Sequence, residues 1–409
     1  MTKRCLILVA ISFFATAARV AQTKQEDIMR SMELANDYFI KKYPDPGKPT
    51  FVKKERPSNL WTRGVYFEGL MALAEMERKM GGEKFDEYYK YIYDWGTAHK
   101  WTPRNGVKTR DADDYCCCQT YLDMGHPEQT EKCMDNLLST RNVPQKQGNG
   151  SSSGSFGDWT WIDAIQMGLP VLTKLSAMKQ QQGDSEYLRY AEQGWQMYKA
   201  SRDSIAGGFF NRKEGLWWRD ASFVAPYTTP NGKNCYWSRG NGWVYAALVR
   251  AMESLPSDPH HKDYLKDYLL MTKALVKCQQ SDKYWYASLA DAQDFGGKEL
   301  TGTALFIYGM AWGVRNGYLP AKTYEPIVMS TWDAMVKDCL HSNGFLGYVQ
   351  GTGKEPKDSQ PVTYDKEPDF DDYGLGCFLL CGAEITGATA FNTLNFCHSD
   401  TLDSLPKKS

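Results

Sequence analysis

Residues 301–313 read TGTALFIYGMAWG, and residues 374–383 read GLGCFLLCGA. Both stretches have apolar residues at helical spacing and small residues on several sides, so each predicts a helix that packs closely against neighbours all round. Residues 64–73 (GVYFEGLMAL) have the same character. Other helical stretches differ, because residues 186–192 (EYLRYAE) and 263–268 (DYLKDY) carry polar faces. Such amphipathic helices are typical of an exterior layer.

The same spacing predicts twelve helices, in which small-residue and amphipathic members alternate along the chain. The alternation indicates six helical hairpins, with the small-residue helices in an inner ring and the amphipathic helices outside it. We therefore predict an all-α protein built as a single (α/α)6 barrel. An open helical solenoid is the alternative, and the absence of a crisp repeat consensus counts against it. The helices are expected near residues 25–43, 62–78, 83–99, 112–125, 128–141, 160–179, 184–205, 239–254, 261–279, 300–317, 322–341 and 372–386.

Composition excludes several classes of protein. The chain has 409 residues, with 48 basic and 49 acidic side chains and a formal net charge of −1. No long basic run is present, so neither a nucleic acid nor an anionic membrane is an expected partner. Aromatic residues make up 13% of the chain and include 13 tryptophans. That content argues against disorder, and it supplies flat rings that suit either a core or a sugar-binding surface.

The first residues have the pattern of a secretory signal. Two basic residues precede an apolar run that ends near Ala18, and Ala15 and Ala17 form an A-x-A cleavage pattern. We predict a signal peptide over residues 1–21, a mature domain over residues 22–409, and export to the periplasm or the cell exterior. A membrane anchor is the alternative, but the apolar run is shorter than the roughly 20 residues that a span needs.

Cysteines and histidines do not indicate a metal site. The chain contains no pair of C-x-x-C motifs, and its six histidines are mostly far apart in sequence. Cys116–Cys118 are consecutive and Cys377 and Cys381 lie in an apolar segment, which is typical of packing residues. Disulfides that involve Cys133 or Cys235 remain open. We predict no metal and no cofactor.

Three long connections precede inner helices and are expected to surround one mouth of the barrel. They cover residues 144–158, 207–238 and 343–371, and each is longer than a helical hairpin needs. In a double ring the starts of the inner helices lie at one end. Long loops that gather there favour a binding site at that mouth.

Carboxylates framed by tryptophan are the candidate catalytic groups. Asp163 opens an inner helix just after Trp159 and Trp161, with Met167 one turn further on the same face. A carboxyl deprived of water keeps its proton to higher pH, which suits Asp163 to proton donation near neutral pH. The alternative is an acid that only stabilises the first helical turn.

Three further acids, Asp111, Asp113 and Asp114, open the preceding inner helix. Inner helices that are neighbours in a ring would bring these carboxyls towards Asp163, and a like charge nearby hinders ionisation further. The alternative is an acidic N-cap cluster, which would account for at least one of the three.

A third group of residues suits an acidic sugar. Residues 217–220 read WWRD and residues 237–243 read WSRGNGW. The guanidinium of Arg219 or Arg239 can grip a carboxylate through two parallel hydrogen bonds. A structural ion pair between Arg219 and Asp220 is the alternative. The tryptophans expected to form a sugar platform lie at the starts of inner helices or in the loops before them: Trp61, Trp159, Trp161, Trp218, Trp237 and Trp243.

At these residues the chain resembles the unsaturated uronyl hydrolases of glycoside hydrolase families 88 and 105, and is most similar to the unsaturated rhamnogalacturonyl hydrolases of family 105. Six motifs in the family's order run through nearly the whole mature chain. They are WTRGVYFEGL at 61–70, ADDY at 112–115 with QTYLD at 119–123, WID at 161–163 with Met167 and Pro170, WSRGNGW at 237–243, TGTALF at 301–306 with Gly309, and DYGLGCFLL at 372–380.

The resemblance implies an (α/α)6 barrel and an unusual hydrolysis that needs no metal or cofactor. Such enzymes act on oligosaccharides whose non-reducing end is a 4,5-unsaturated uronic acid left by a polysaccharide lyase. An aspartic acid protonates C4, water adds at C5, and the resulting hemiketal opens and expels the remaining sugar chain. The resemblance places the acid/base at Asp163 and a second carboxylate at Asp113, with Asp114 nearly as well matched. It places substrate-holding residues at Trp161, Met167, Trp237, Arg239 and Trp243.

One departure from the family's pattern concerns residues 217–220, where some relatives have a histidine and this chain has Arg219 and Asp220.

Two alternative functions also remain open. One is a conventional inverting glycosidase, with Asp163 as acid and Asp113 or Asp114 as base, about 6.5 to 9.5 Å apart. The other is a non-catalytic glycan-binding protein that keeps the aromatic cleft.

Overall fold

The computed structural model describes residues 24–140 and 159–387, and the fold there is almost entirely helical. The predicted signal peptide and the 144–158 connection lie outside the described residues. Two short antiparallel hairpins, at residues 50–56 and 210–217, accompany the helices. The helices are α1 (24–42), α2 (Trp61–Met80), α3 (Phe85–Ala98), α4 (Ala112–Tyr115), α5 (Cys118–Asp123), α6 (Glu128–Thr140), α7 (Asp163–Gln181), α8 (Leu188–Asp203), α9 (Ser238–Ser254), α10 (His261–Cys278), α11 (Leu300–Arg315), α12 (Ala321–Cys339) and α13 (Tyr373–Ile385), and the strands are β1 (Thr50–Phe51), β2 (Glu55–Arg56), β3 (Phe210–Asn211) and β4 (Leu216–Trp217).

The small-residue helices form a closed inner ring. Along this ring α2 packs on α4 and α5, these on α7, α7 on α9, α9 on α11, and α11 on α13, which returns to α2. The amphipathic helices α3, α6, α8, α10 and α12 each pack on an inner helix from outside. The predicted (α/α)6 barrel is therefore confirmed. The open solenoid is wrong, because its first and last inner helices would not touch.

Two glycines allow the ring to close. A Cβ on Gly69 of α2 would lie 2.5 Å from the carbonyl oxygen of Gly376 in α13, and a Cβ on Gly376 would lie 2.3 Å from the carbonyl oxygen of Val65. Real Cβ atoms do not approach backbone so closely, so only glycine permits this backbone contact. The seam between the first and last inner helices thus depends on glycine at both positions.

The described helix boundaries differ from the predicted ones by more than two residues in three places, one of which is the start of α8 at Leu188 in place of residue 184. The predicted helix at 112–125 is split into α4 and α5, at the point where a Cβ on Gly64 of α2 would lie 3.1 Å from Cys116 Sγ and 3.2 Å from the backbone nitrogen of Cys117. Helix α7 begins at Asp163 and not at residue 160, because the preceding residues are tied to another loop. Ile162 donates its backbone N–H to the carbonyl of Arg219 at 2.9 Å.

Charged residues fill part of the barrel interior. The Glu68 carboxylate accepts a hydrogen bond from Gln166 at 3.0 Å and lies 3.4 Å from Arg250, while Arg250 donates to Gln119 at 3.1 Å. These side chains come from four inner helices, so the network ties the ring together through its centre. Burial without such partners would be costly for each charge.

The cysteines of the described segments act as packing residues. All nine are free thiols, including Cys133 and Cys235, so neither of these forms the disulfide that the sequence left open. Cys116, Cys117 and Cys118 are fully buried, as the packing interpretation predicts. Within the same segments, no helix has the length and apolar content that crossing a membrane requires.

Candidate active site

The predicted catalytic residues gather where the inner helices begin. Trp61 is the first residue of α2, Asp113 the second of α4, Asp163 the first of α7 and Arg239 the second of α9. The charge on Asp163 acts on Asp113, as does the charge on Arg219. Neighbouring positions in the ring therefore bring the two carboxyls and this guanidinium together at one mouth of the barrel.

Asp163 is held by an arginine. Arg219 donates its Nε–H to Asp163 Oδ2 at 3.0 Å and an Nη1–H to Asp220 Oδ2 at 2.8 Å. An antiparallel bridge between Trp161 and Asp220 positions the segment that carries Arg219. The predicted Arg219–Asp220 ion pair is therefore present, and the same guanidinium also reaches the candidate acid.

Asp113 is the carboxyl that holds a proton near neutral pH. Burial raises its pKa to about 8, and the negative charges of Asp111 and Asp163 add to the effect, while Arg219 opposes it. Asp111 precedes it as the N-cap of α4, because the Asp111 side chain accepts the backbone N–H of Asp113 at 3.0 Å. One of the three acids is thus a cap, and a second is a partly buried acid beside Asp163.

Asp114 has a different environment. Its side chain is buried and accepts hydrogen bonds from Arg104 at 3.0 Å, Asn105 at 2.9 Å and Thr109 at 2.7 Å. Three donors from the preceding loop thus occupy both carboxylate oxygens. This carboxylate organises residues 104–109, and the geometry favours Asp113 over Asp114 as the second carboxylate of the site.

The six tryptophans predicted to form a sugar platform fall into two groups according to their exposure. Trp61, Trp161 and Trp218 are only partly buried. The other three are buried and serve as supports: the indole of Trp159 donates to the hydroxyl of Tyr115 at 3.0 Å, that of Trp237 donates to Gln350 at 2.9 Å, and that of Trp243 packs edge-on against Trp61. Met167 is also buried. The partly buried rings are the ones that can meet a ligand.

Arg239 lies beneath the surface of the mouth. Its side chain donates to the carbonyls of Gln350 at 2.6 Å and Gly351 at 2.8 Å, and its guanidinium lies 4.5 Å from the ring centre of Trp237 and 5.1 Å from that of Tyr373. With the residue only 1% exposed, the guanidinium fastens the 343–371 connection to α9. This arrangement differs from the substrate-holding role that the resemblance implies.

Gln350 is a structural residue that the sequence analysis missed. Its side-chain amide donates to the carbonyls of Glu355, Pro356 and Asp358, and its backbone carbonyl accepts from Tyr373 at 2.6 Å. A single glutamine in a loop carries no motif, so only its central place in the 343–371 connection reveals it.

The described residues contain no group of three or more His, Cys, Asp or Glu side chains placed to hold a metal ion.

Comparisons with known proteins agree with the barrel fold. The family model of Glycosyl Hydrolase Family 88 matches residues 31–388. The unsaturated 3S-rhamnoglycuronyl hydrolase of Formosa agariphila is 27% identical over 340 residues, which cover 80% of this chain and 84% of that one.

Two solved structures are similar over most of their length. A glycosyl hydrolase family 88 protein from Bacteroides vulgatus shares 28% identity at a TM-score of 0.73, covering 89% of this chain and 99% of that one. A structure described as a polysaccharide lyase shares 25% identity at a TM-score of 0.71, covering 94% of this chain and all of that one.

Proposed function

This chain belongs to Glycosyl Hydrolase Family 88, and on that basis we propose that it removes a 4,5-unsaturated uronic acid from the non-reducing end of oligosaccharides left by a polysaccharide lyase. It is a glycoside hydrolase, so the glycan-binding alternative without catalysis is set aside. The observation that carries the proposal is that Asp113 and Asp163 lie within electrostatic reach of each other and of Arg219. One carboxyl keeps its proton at neutral pH, and the cation can meet an acidic sugar.

The proposed reaction uses only protein side chains and water. A carboxylic acid at Asp163 gives its proton to C4 of the double bond, which leaves a cation centred on C5. Water adds at C5 and returns a proton to the carboxylate, so the acid is regenerated. The C5 hemiketal then opens, and the bond to the remaining sugar chain breaks. Asp113 lies beside Asp163 as a second proton-holding group.

Substrate binding is proposed for the accessible side chains. Trp61, Trp161 and Trp218 offer ring faces to the sugars, and Arg219 offers a guanidinium to the uronate carboxylate. The buried Arg239 would then act on the substrate only by holding the loop above it.

The double bond makes the proposal directly measurable. The protein is incubated with lyase-generated oligosaccharides while the near-ultraviolet absorbance of the double bond is followed. We expect the absorbance to fall, and Asp163→Asn to slow the fall by about 10²- to 10⁴-fold, the usual worth of a general acid. Asp263→Asn is the control, because Asp263 occupies the first turn of the outer helix α10. Equal loss of activity in both variants would contradict the assigned role of Asp163.

The same assay separates two other reactions. A polysaccharide lyase would raise the absorbance on intact polymer, and the structural likeness to a protein of that description makes this outcome worth measuring. A conventional inverting glycosidase would release a saturated sugar with the absorbance unchanged. Either result would replace the proposed hydration of the double bond.

The name of the Formosa agariphila relative suggests rhamnose as the sugar that follows the unsaturated uronic acid. We propose the same for this chain. Lyase products in which that sugar is rhamnose, glucose or an amino sugar provide the test, and a lower kcat/KM on the rhamnose compound than on the others would reject the proposal.

Export is proposed from the pattern of residues 1–21 alone. Expression of the full chain followed by N-terminal sequencing of the secreted or periplasmic fraction tests it. An uncleaved chain retained in the cytoplasm would reject it.

A further inference from the structure

We propose that Arg219 is a substrate-operated release for Asp163: the guanidinium holds this carboxylate in the free enzyme, and the carboxylate of the incoming uronic acid draws it away. This inference rests on the proposed function. It assigns a positioning and specificity-determining role to a residue at which the chain departs from relatives that have a histidine there.

The two hydrogen-bond partners of Arg219 differ in how firmly each is held in place. Asp220 is adjacent in sequence, its Oδ1 accepts the backbone N–H of Ser222 at 2.8 Å, and its backbone bridges to Trp161. Among residues 24–140 and 159–387, the Asp163 side chain accepts a single hydrogen bond, from Arg219 Nε to Oδ2 at 3.0 Å. Asp220 is therefore the fixed anchor of the guanidinium, and Asp163 is the partner that can be exchanged.

Arg219 also has donor capacity left for a ligand. Its Nη2 has no hydrogen-bond partner among residues 24–140 and 159–387, and its side chain is 20% exposed. A guanidinium presents its N–H groups in a planar fork that fits a carboxylate. A uronate at the mouth of the barrel can thus bind Nη2 first and then take over the Nε donor from Asp163.

The exchange changes what Asp163 can do. While Arg219 donates to Asp163 Oδ2, that oxygen is occupied by a donor and is not free to hold and deliver the proton that the reaction requires. Replacing Asp163 by the substrate carboxylate keeps the guanidinium paired, so no charge is left uncompensated. Burial raises the pKa of Asp113, so this carboxyl carries a proton. Asp113 then passes the proton to Asp163: the O–H bond of the Asp113 carboxyl breaks, and an O–H bond forms on Asp163.

The charged groups around Asp163 and Asp113 come from two segments of the chain. Asp111, Asp113 and Asp114 come from the start of α4 and the residue before it, and Arg219 and Asp220 come from the segment that follows β4. Of these groups Asp114 is engaged with Arg104, and Asp111 caps its helix. Arg219 is the cation whose charge opposes the raised pKa of Asp113, so its position affects how the proton is shared.

The test compares an unsaturated uronic acid substrate with its methyl ester, which keeps the double bond and its absorbance but lacks the negative charge. In the wild-type protein we expect kcat to be at least tenfold lower for the ester, because the ester cannot draw Arg219 from Asp163. Arg219→Gln should lower kcat/KM for the acid and raise kcat for the ester about tenfold or more, since Asp163 is then already free.

Opposite effects of Arg219→Gln on the acid and on the ester distinguish the release of Asp163 from simpler roles of Arg219. If Arg219 only gripped the substrate, the variant would leave the ester unchanged, and if it were only structural, both substrates would suffer equally. Either result overturns the proposal. Arg219→Lys, which keeps the charge but has one nitrogen, should fall between wild type and Arg219→Gln for both substrates, and it serves if the glutamine variant fails to fold.

The matched control is Arg212→Gln. Arg212 lies on the same connection and is paired with Asp203 at 2.6 Å on the surface, so both rates should stay at the wild-type value. A wild-type protein that turns over neither compound rejects the proposed function itself. One that turns over the acid but shows no rise for the ester in Arg219→Gln rejects only the release.

Discussion

Asp113 and Asp114 are neighbours in sequence, yet replacing each by asparagine should change stability in opposite directions. Burial raises the pKa of Asp113 from 3.8 to about 8, so the native state keeps a proton that the unfolded chain gives up. A carboxyl of this kind contributes most to stability below its unfolded pKa, and that contribution is lost as pH rises through the folded pKa. Asparagine cannot ionise. Asp113→Asn therefore removes the free-energy cost that a buried, ionised carboxyl imposes on the native state at high pH.

The size of the effect follows from the shift. One pKa unit corresponds to about 1.4 kcal/mol, so the full shift sets a ceiling of roughly 6 kcal/mol above pH 8. Asp113 is only partly buried by its accessible surface, and solvent screening reduces that ceiling. We expect Asp113→Asn to stabilise the protein by about 2 to 3 kcal/mol at pH 9, by less at pH 7 and by little at pH 4.5.

Asp114→Asn should destabilise the protein. The Asp114 carboxylate accepts from Arg104, Asn105 and Thr109, and an amide can replace only part of that acceptor capacity. The loss of charge-assisted hydrogen bonds to a buried group costs on the order of 1 to 3 kcal/mol.

Urea unfolding followed by tryptophan fluorescence at pH 4.5, 7 and 9 measures both changes. The prediction requires the gain in Asp113→Asn to grow with pH and to level off above about pH 8. A gain that is the same at all three pH values would show that ionisation of Asp113 is not its cause. Activity provides the second readout, because Asp113→Asn should lose turnover even though its fold is more stable.

Three further predictions concern packing. Gly376→Ala should cost about 1 to 3 kcal/mol in urea unfolding because its Cβ meets backbone of α2, whereas Gly194→Ala on α8 should cost less because its Cβ meets only side-chain atoms of Leu169 and Leu172, the nearest at 3.0 Å. Trp161→Ala should raise KM with little loss of stability, while Trp243→Ala should cost roughly 3 to 5 kcal/mol because that ring is fully buried. Arg250→Met should cost about 3 to 5 kcal/mol by leaving Glu68 as an unpaired charge in the barrel interior, and wild-type stability in that variant would contradict the network.

The fold was predictable because its signal is distributed over many residues. The helical spacing and the alternation between small-residue and polar-faced helices extend along the whole chain, and the inner helices α11 and α13 are buried on almost every side. The start of α7 was placed three residues early, because the segment before it pairs with the backbone at Arg219 and Asp220. Such a long-range backbone contact has no local sequence pattern.

The candidate site was predictable as a set of residues but not as a set of roles. Sequence motifs identified both Arg219 and Arg239, and they could not distinguish a guanidinium at the mouth from one that holds backbone carbonyls of a distant loop. They also favoured Asp113 over Asp114 by only a small margin. The difference comes from residues 104–109, whose donors converge on Asp114, and their convergence depends on a loop conformation that spacing does not encode.

The contact between Gly69 and Gly376 also constrains the order in which the protein forms. Its two partners are about three hundred residues apart, and closing a loop of that length carries an entropic cost that must be met before the contact contributes anything. The hairpins can each form from local contacts, but the seam between α2 and α13 cannot form until the last inner helix has been synthesised. A chain released from the ribosome without α13 would expose the apolar side of α2 that this seam covers. The final helix thus completes both the ring and the protection of the first inner helix from aggregation.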